Sequence, residues 1–177
     1  GAHLALFVTD AAAEELRALR RELDLVRPPA ALWLVYHVRE PAAAERWVRS
    51  ARTALADFDP SVPFAAGANA NLAELNRHRP ARASRALPCF SINPQVHVFD
   101  DLSLVENLEA QGQAVATAAG FSPHPVVVSP ITLKPRFNPV ATGRERPPAP
   151  GELPAQVDPR QMSLFGAAWT LGSIAAL

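Results

Sequence analysis

Cysteine is nearly absent from this chain. Cys89 is the only one and sits inside an apolar run, so no internal disulfide framework can form and a reducing compartment is expected. Surplus charge is absent too. Lys+Arg and Asp+Glu each number 17, for a formal net charge of zero, which argues against nucleic acid or an anionic membrane as the main partner. Lysine is represented by Lys134 alone, leaving a single candidate for Schiff-base chemistry. No apolar stretch approaches the roughly 18 residues that span a bilayer, and no charged-then-apolar leader opens the chain, so it reads as cytosolic. Several motifs are also lacking. There is no G-x-x-x-x-G-K-[ST] phosphate cradle, no G-x-G-x-x-G after the first apolar run and no G-x-S-x-G nucleophile elbow. Neither H-E-x-x-H nor paired cysteines at zinc spacing occur.

What the chain does have is 49% hydrophobic residues over 177 positions, enough to bury a sizeable core, and residues 1–177 are expected to form a single domain. Short apolar runs alternate five times with helical patterns. Residues 4–8 precede a helix over about 11–23, with Asp10 as N-cap; residues 32–36 precede one over about 41–56. Residues 62–66 lead through "GANAN" into a short helix over 72–78. Residues 88–92 precede a helix over about 104–119, for which Ser103 and Glu106 have capping-box spacing and Asp100 or Asp101 is a further candidate cap. Residues 125–129 precede an irregular segment and a helix opened by "DPRQ", with Asp158 as cap and Pro159 first. Trp33, Trp47 and Trp169 fall at core spacing.

Such near-continuous apolar strands, each followed by a helix, indicate a parallel sheet covered on both faces. Two architectures fit: part of an eight-stranded (β/α)8 TIM barrel with about five βα units, or an open five-stranded doubly wound sheet. A start almost inside a strand and an end in a helical pattern favour a barrel excerpt.

Polar residues gather where the strands end, which is where parallel α/β folds hold their ligands. The run "SINPQVHVFDD" is the densest example, setting Asn93, Gln95 and His97 after an apolar strand, although a turn needs none of those side chains. His37 follows the second strand; Asn69 and Glu74 follow the third; Arg136 and Asn138 follow the fifth. Each has a structural reading as well: Glu74 stands three residues after Asn71 and completes a capping box, His37 suits a satisfied core position, and Arg136 with Asn138 suits loop bracing. A metal held by His37, His97, Glu74 and Asp100 has no support in their spacing, and neither metal nor cofactor is expected. The polar cup suits a polyhydroxylated ligand and proton transfer on it. The Pro-rich stretch 140–157 lacks any period and is expected to form a loop at the carboxyl ends of the strands, either a lid over them or a flexible loop, with its place after a strand's carboxyl end favouring the lid.

The stretches "GANANLAELNRHRP", "FSINPQVHVFDDLSLVENLEAQ", "VVVSPITLKPRFNP" and "VDPRQMSLFGAAWTLGS" closely resemble the barrel domain of the bacterial D-apionate lactonase family, and the likeness covers essentially the whole chain. It implies a glycoside-hydrolase-type (β/α)8 barrel lacking its first two strands and its last, and a hydrolase that opens a sugar-acid lactone, D-apionolactone to D-apionate, in carbohydrate catabolism. The fragment alone is then expected to be inactive. For that chemistry Glu74, His97 and Arg136 are the catalytic candidates, and His37, Asn69, Asn93, Gln95 and Asn138 the substrate-binding ones. The expected partner is a small sugar lactone or sugar acid, with homo-oligomerisation left open. A glycoside hydrolase using a carboxylate pair and a non-catalytic carbohydrate-binding barrel fragment are the alternatives.

Overall fold

The computed structural model describes residues 1–137 and 146–177. Five strands, β1 (Ala2–Val8), β2 (Ala30–His37), β3 (Phe64–Gly67), β4 (Leu87–Ile92) and β5 (Val127–Ile131), pair in that order, all parallel. The helices α1 (Ala12–Val26), α2 (Glu45–Leu55), α3 (Leu72–Arg77) and α4 (Asp101–Ala119) connect them, and α5 (Leu164–Ala176) follows β5. A doubly wound sheet must reverse its strand order at a switch point. Sequential order instead curls the sheet into a half-barrel, so the chain forms a partial (β/α)8 barrel and the open-sheet alternative falls away.

Strand alternation divides the sheet into two faces. Leu6, Val8, Trp33, Val35, Phe64 and Ala66 point outward and pack on Leu16 and Leu23 of α1 and on Val48, Ala51 and Leu55 of α2. Leu32, Leu34, Tyr36, Ala65 and Cys89 form the concave face. With both faces covered, β2 is buried continuously from Leu32 to His37, which is why its sequence reads as an unbroken apolar run. Burying each Leu or Val of the outer layer stabilises the fold by about 1.5–3 kcal/mol.

Several helix starts differ from the sequence expectation. Asp10 does not cap α1, whose N-cap is Ala11 with no side-chain hydrogen bond; Thr9 and Glu15 close that turn instead, with the Thr9 amide donating to Glu15 at 2.9 Å. Helix α2 begins at Glu45 rather than near residue 41, because Ala42 bridges to Ala68 and Glu40 accepts the Ala44 amide at 3.1 Å. At α4 the cap is Asp100, one of the two aspartates expected there, accepting from the Ser103 amide at 3.0 Å, so Ser103 lies inside the helix and is not its cap. "DPRQ" opens a 3-10 turn, Pro159–Met162, and α5 starts only after it with Ser163 as cap. Among the described residues, no helix is long and apolar enough to cross a membrane.

Candidate functional site

On the concave face Tyr36 reaches from β2 across β3 to the far strands, its hydroxyl donating to the Ser129 carbonyl at 3.0 Å and lying 3.2 Å from the Cys89 sulfur. Gly67 makes that reach feasible: a Cβ there would lie 2.0 Å from the Cys89 carbonyl oxygen, so β3 and β4 approach only because the side chain is missing. Burial pushes the Cys89 thiol up to about 12 and raises the Tyr36 phenol further, so both stay protonated at neutral pH. Phe7, opposite Tyr36 in the β1–β2 register, stacks on it with ring centroids 5.1 Å apart and is 51% exposed. The result is an aromatic shelf near the carboxyl end of β1 and β2.

The β4–α4 connection is held from beneath. Gln95 is buried and donates its amide to the Leu133 carbonyl at 2.9 Å and to Asp158 at 2.5 Å. Asp158, 2% exposed, also accepts from the Arg160 amide and twice from its guanidinium. Arg160 continues to the Phe99 carbonyl and to Asp101. Its hydrogen bonds hold the Asp158 carboxyl well below the usual range, with Gln95 assisting and burial opposing. Thus the loop carrying His97 is clamped at both ends while its middle stays open. His97 is exposed, with no partner among the described residues.

The other sequence candidates fall into distinct settings. Arg136 is exposed and Asn69 half-buried after their strands, and neither side chain has a hydrogen-bond partner among the described residues. His37 shares the outward parity of Trp33 and Val35, so it faces the helix layer. There its ring stacks on Trp47 with centroids 4.6 Å apart, Nδ1 accepts from the Arg39 amide, and Nε2 lies 3.4 Å from Asp10. Trp47 in turn donates to Glu40 at 2.9 Å. Asn93 lines a cleft between α3 and α4, and its Oδ1 is buried without a partner. Asn138 lies outside the described residues, as does residues 140–145 of the Pro-rich stretch; the described remainder, 146–157, contains no helix or strand.

Glu74 is buried in the first turn of α3. Its amide donates to the Asn71 side chain at 3.4 Å, and its carboxylate pairs with Arg77 and lies 3.9 Å from the His78 ring. No hydrogen bond or ion pair joins Glu74 to His97 or Arg136. A Glu74→Gln variant is expected to melt several degrees lower, through the lost Arg77 pair, while retaining most of its specific activity. Thermal melts with activity per folded molecule check this; a hundredfold fall in turnover at an unchanged melting temperature would return Glu74 to the chemistry.

Sequence reasoning missed Phe7 and Tyr36, although the alternation of "AHLALFV" against an outward Leu6 and Val8 already turns Phe7 to the opposite face. It also missed the Arg160 clamp, whose only sequence trace is the opposite charge of "FDD" and "DPR". Among the described residues, no group of three or more His, Cys, Asp or Glu is placed to hold a metal ion. A family model described as D-apionate lactonase, TIM barrel domain, matches residues 2–177. No curated protein and no solved structure matches the chain.

Proposed function

The chain belongs to the D-apionate lactonase family of TIM-barrel domains, and from that premise we propose that the intact protein hydrolyses the ring ester of a sugar-acid lactone of the D-apionolactone type. The observation that supports this most is the half-exposed Phe7 ring backed by Tyr36, a flat apolar surface suited to the C–H face of a small sugar ring. Lactone opening needs a base, an oxyanion stabiliser and a proton for the departing alkoxide. In this reading His97 takes a proton from water as the oxygen adds to the carbonyl carbon. Arg136 faces the negative charge that develops on the carbonyl oxygen. The ring C–O bond then breaks, and His97 returns the proton to the alkoxide, giving a hydroxyl and a carboxylic acid that ionises. Asn69, whose amide has no partner among the described residues, is placed to meet a substrate hydroxyl. Gln95, its amide nitrogen committed to Leu133 and Asp158, instead positions the His97 loop.

The test is acid release from D-apionolactone and other aldonolactones by the intact protein, with Phe7→Ala alongside. Wild-type turnover is expected, with KM in the variant raised about tenfold and kcat little changed, the worth of one lost aromatic contact of about 1.4 kcal/mol. No acid release from any lactone would overturn the reading. Release of a sugar from a glycoside would put a glycosidase in its place, and saturable sugar-acid binding without turnover a carbohydrate-binding role.

A further inference from the structure

Arg20, Arg39, Arg46, Arg77, Arg146 and Arg160 each pair with a carboxylate of their own chain. Two arginines that do not are brought together on the outer surface. Helices α1 and α2 lie side by side there, and the groove between them, about 490 Å³, is lined by Arg17 of α1, Arg49 of α2 and the small residues Ala13, Ser50 and Ala54. Arg17 commits only its Nε, which donates to the Ala13 carbonyl at 3.0 Å, and Arg49 has no hydrogen bond or ion pair among the described residues. No acidic side chain lines the groove. Two like charges beside one groove repel each other, and an anionic occupant relieves that repulsion.

The opposite charge is concentrated on α4. Its 19 residues include Asp101, Glu106 and Glu109 and neither Lys nor Arg. Asp101 pairs with Arg160, whereas Glu106 and Glu109 have no partner among the described residues. Leu102, Val105, Glu106 and Glu109 recur at i, i+3, i+4 and i+7, which is one face of the helix, and all four are exposed, Leu102 at 68% and Val105 at 48%. This face is an acidic ridge carrying two uncovered apolar side chains. The α1–α2 groove is its complement, with two unpaired arginines set among small side chains.

We infer that α4 of one copy docks in the α1–α2 groove of a second copy of this chain. Glu106 and Glu109 meet Arg17 and Arg49, while Leu102 and Val105 cover Ala13 and Ala54. The ridge and the groove are different patches, separated around the curled sheet by α3, so the contact is head-to-tail: each copy presents its ridge to one neighbour and its groove to another. Both patches lie on the helix side of the sheet, so the strand ends of the concave face stay open and the association is independent of the lactonase reading. Exposed ion pairs are individually weak and are screened by salt, so the assembly forms at low ionic strength and comes apart at high.

Sedimentation velocity of the intact protein over a range of concentrations, at about 50 and about 500 mM salt, tests this. Wild type is expected to form species larger than a dimer at low salt, growing with concentration, and to dissociate at high salt. Arg17→Glu/Arg49→Glu and Glu106→Arg/Glu109→Arg are each expected to associate at least about tenfold more weakly, because each sets like charges against one another. All four side chains are exposed and free of ion-pair partners among the described residues, so the reversals leave the fold intact. An equimolar mixture of the two variants is expected to associate as wild type does, since every ridge then finds a groove of opposite charge on the other variant. The inference is overturned if wild type is monomeric throughout, which leaves the groove to solvent or to a different acidic protein. It is equally overturned if either variant alone associates like wild type, or if the mixture stays apart.

Discussion

If the proposed lactonase reading holds, a His97→Ala variant of the intact protein is expected to lose at least a hundredfold of lactone turnover while its melting temperature stays essentially unchanged. The first half follows from chemistry. Water is a poor nucleophile toward a lactone carbonyl, and a positioned base typically contributes a factor of about 10² to 10⁴. The second half follows from structure. His97 is exposed and has no partner among the described residues, and substitutions at such positions usually shift stability by no more than about 0.5 kcal/mol. Initial rates of acid release, set beside thermal melts, check both halves. A near-normal rate removes His97 from the mechanism, and a large drop in melting temperature assigns it a structural role.

The largest stability effect is expected at Asp158. Its carboxylate is the shared acceptor for Gln95 and Arg160, so Asp158→Ala removes one of the two partners of the buried Gln95 amide and leaves the guanidinium with only the Phe99 carbonyl and Asp101. Breaking a buried pair from one side costs about 3–5 kcal/mol. The lower end applies because the Arg160 side chain is one-quarter exposed and can rehydrate. A cost of about 3 kcal/mol in a chain of this size lowers the melting temperature by roughly 10 °C. The same carboxylate sets an acid limit. Its folded-state pKa is depressed, so on acidification the unfolded chain takes up the proton first. The stabilisation is therefore complete above the ordinary aspartate range and fades as pH falls below about 4 toward the folded value. Urea midpoints at pH 7, 4 and 3 are expected to fall more steeply for wild type than for Asp158→Asn. Parallel slopes would deny Asp158 that part.

The βα alternation was legible because each parallel strand, covered on both sides, leaves a compact apolar run, and each helix leaves a stripe. That same double coverage hid which side of the sheet each residue faces. With Leu32 to His37 uniformly buried, nothing local shows that His37 turns toward Trp47 while Tyr36 turns inward. Parity becomes visible only when neighbouring strands fix the register. Two helix starts were misplaced for a related reason. At α2 a tertiary bridge from Ala42 to Ala68 holds the chain extended past Pro41, and at the 3-10 turn Asp158 bonds a distant glutamine as well as its own turn. Of the candidate site, the strand-end location of Asn69, His97 and Arg136 could be read directly. The burial of Glu74 and Gln95 in local networks could not, because it depends on Arg77, Leu133 and Asp158 meeting them in space.

The Tyr36 hydroxyl has a mechanical consequence. Backbone ladders join each strand only to its neighbour, and such a ribbon can flatten by small adjustments at every seam. A rigid phenol spanning from β2 to the Ser129 carbonyl of β5 acts as a tie-rod across the arch. Flattening the arch stretches that one bond, so the tie resists splaying at the end of the sheet where the open side chains stand.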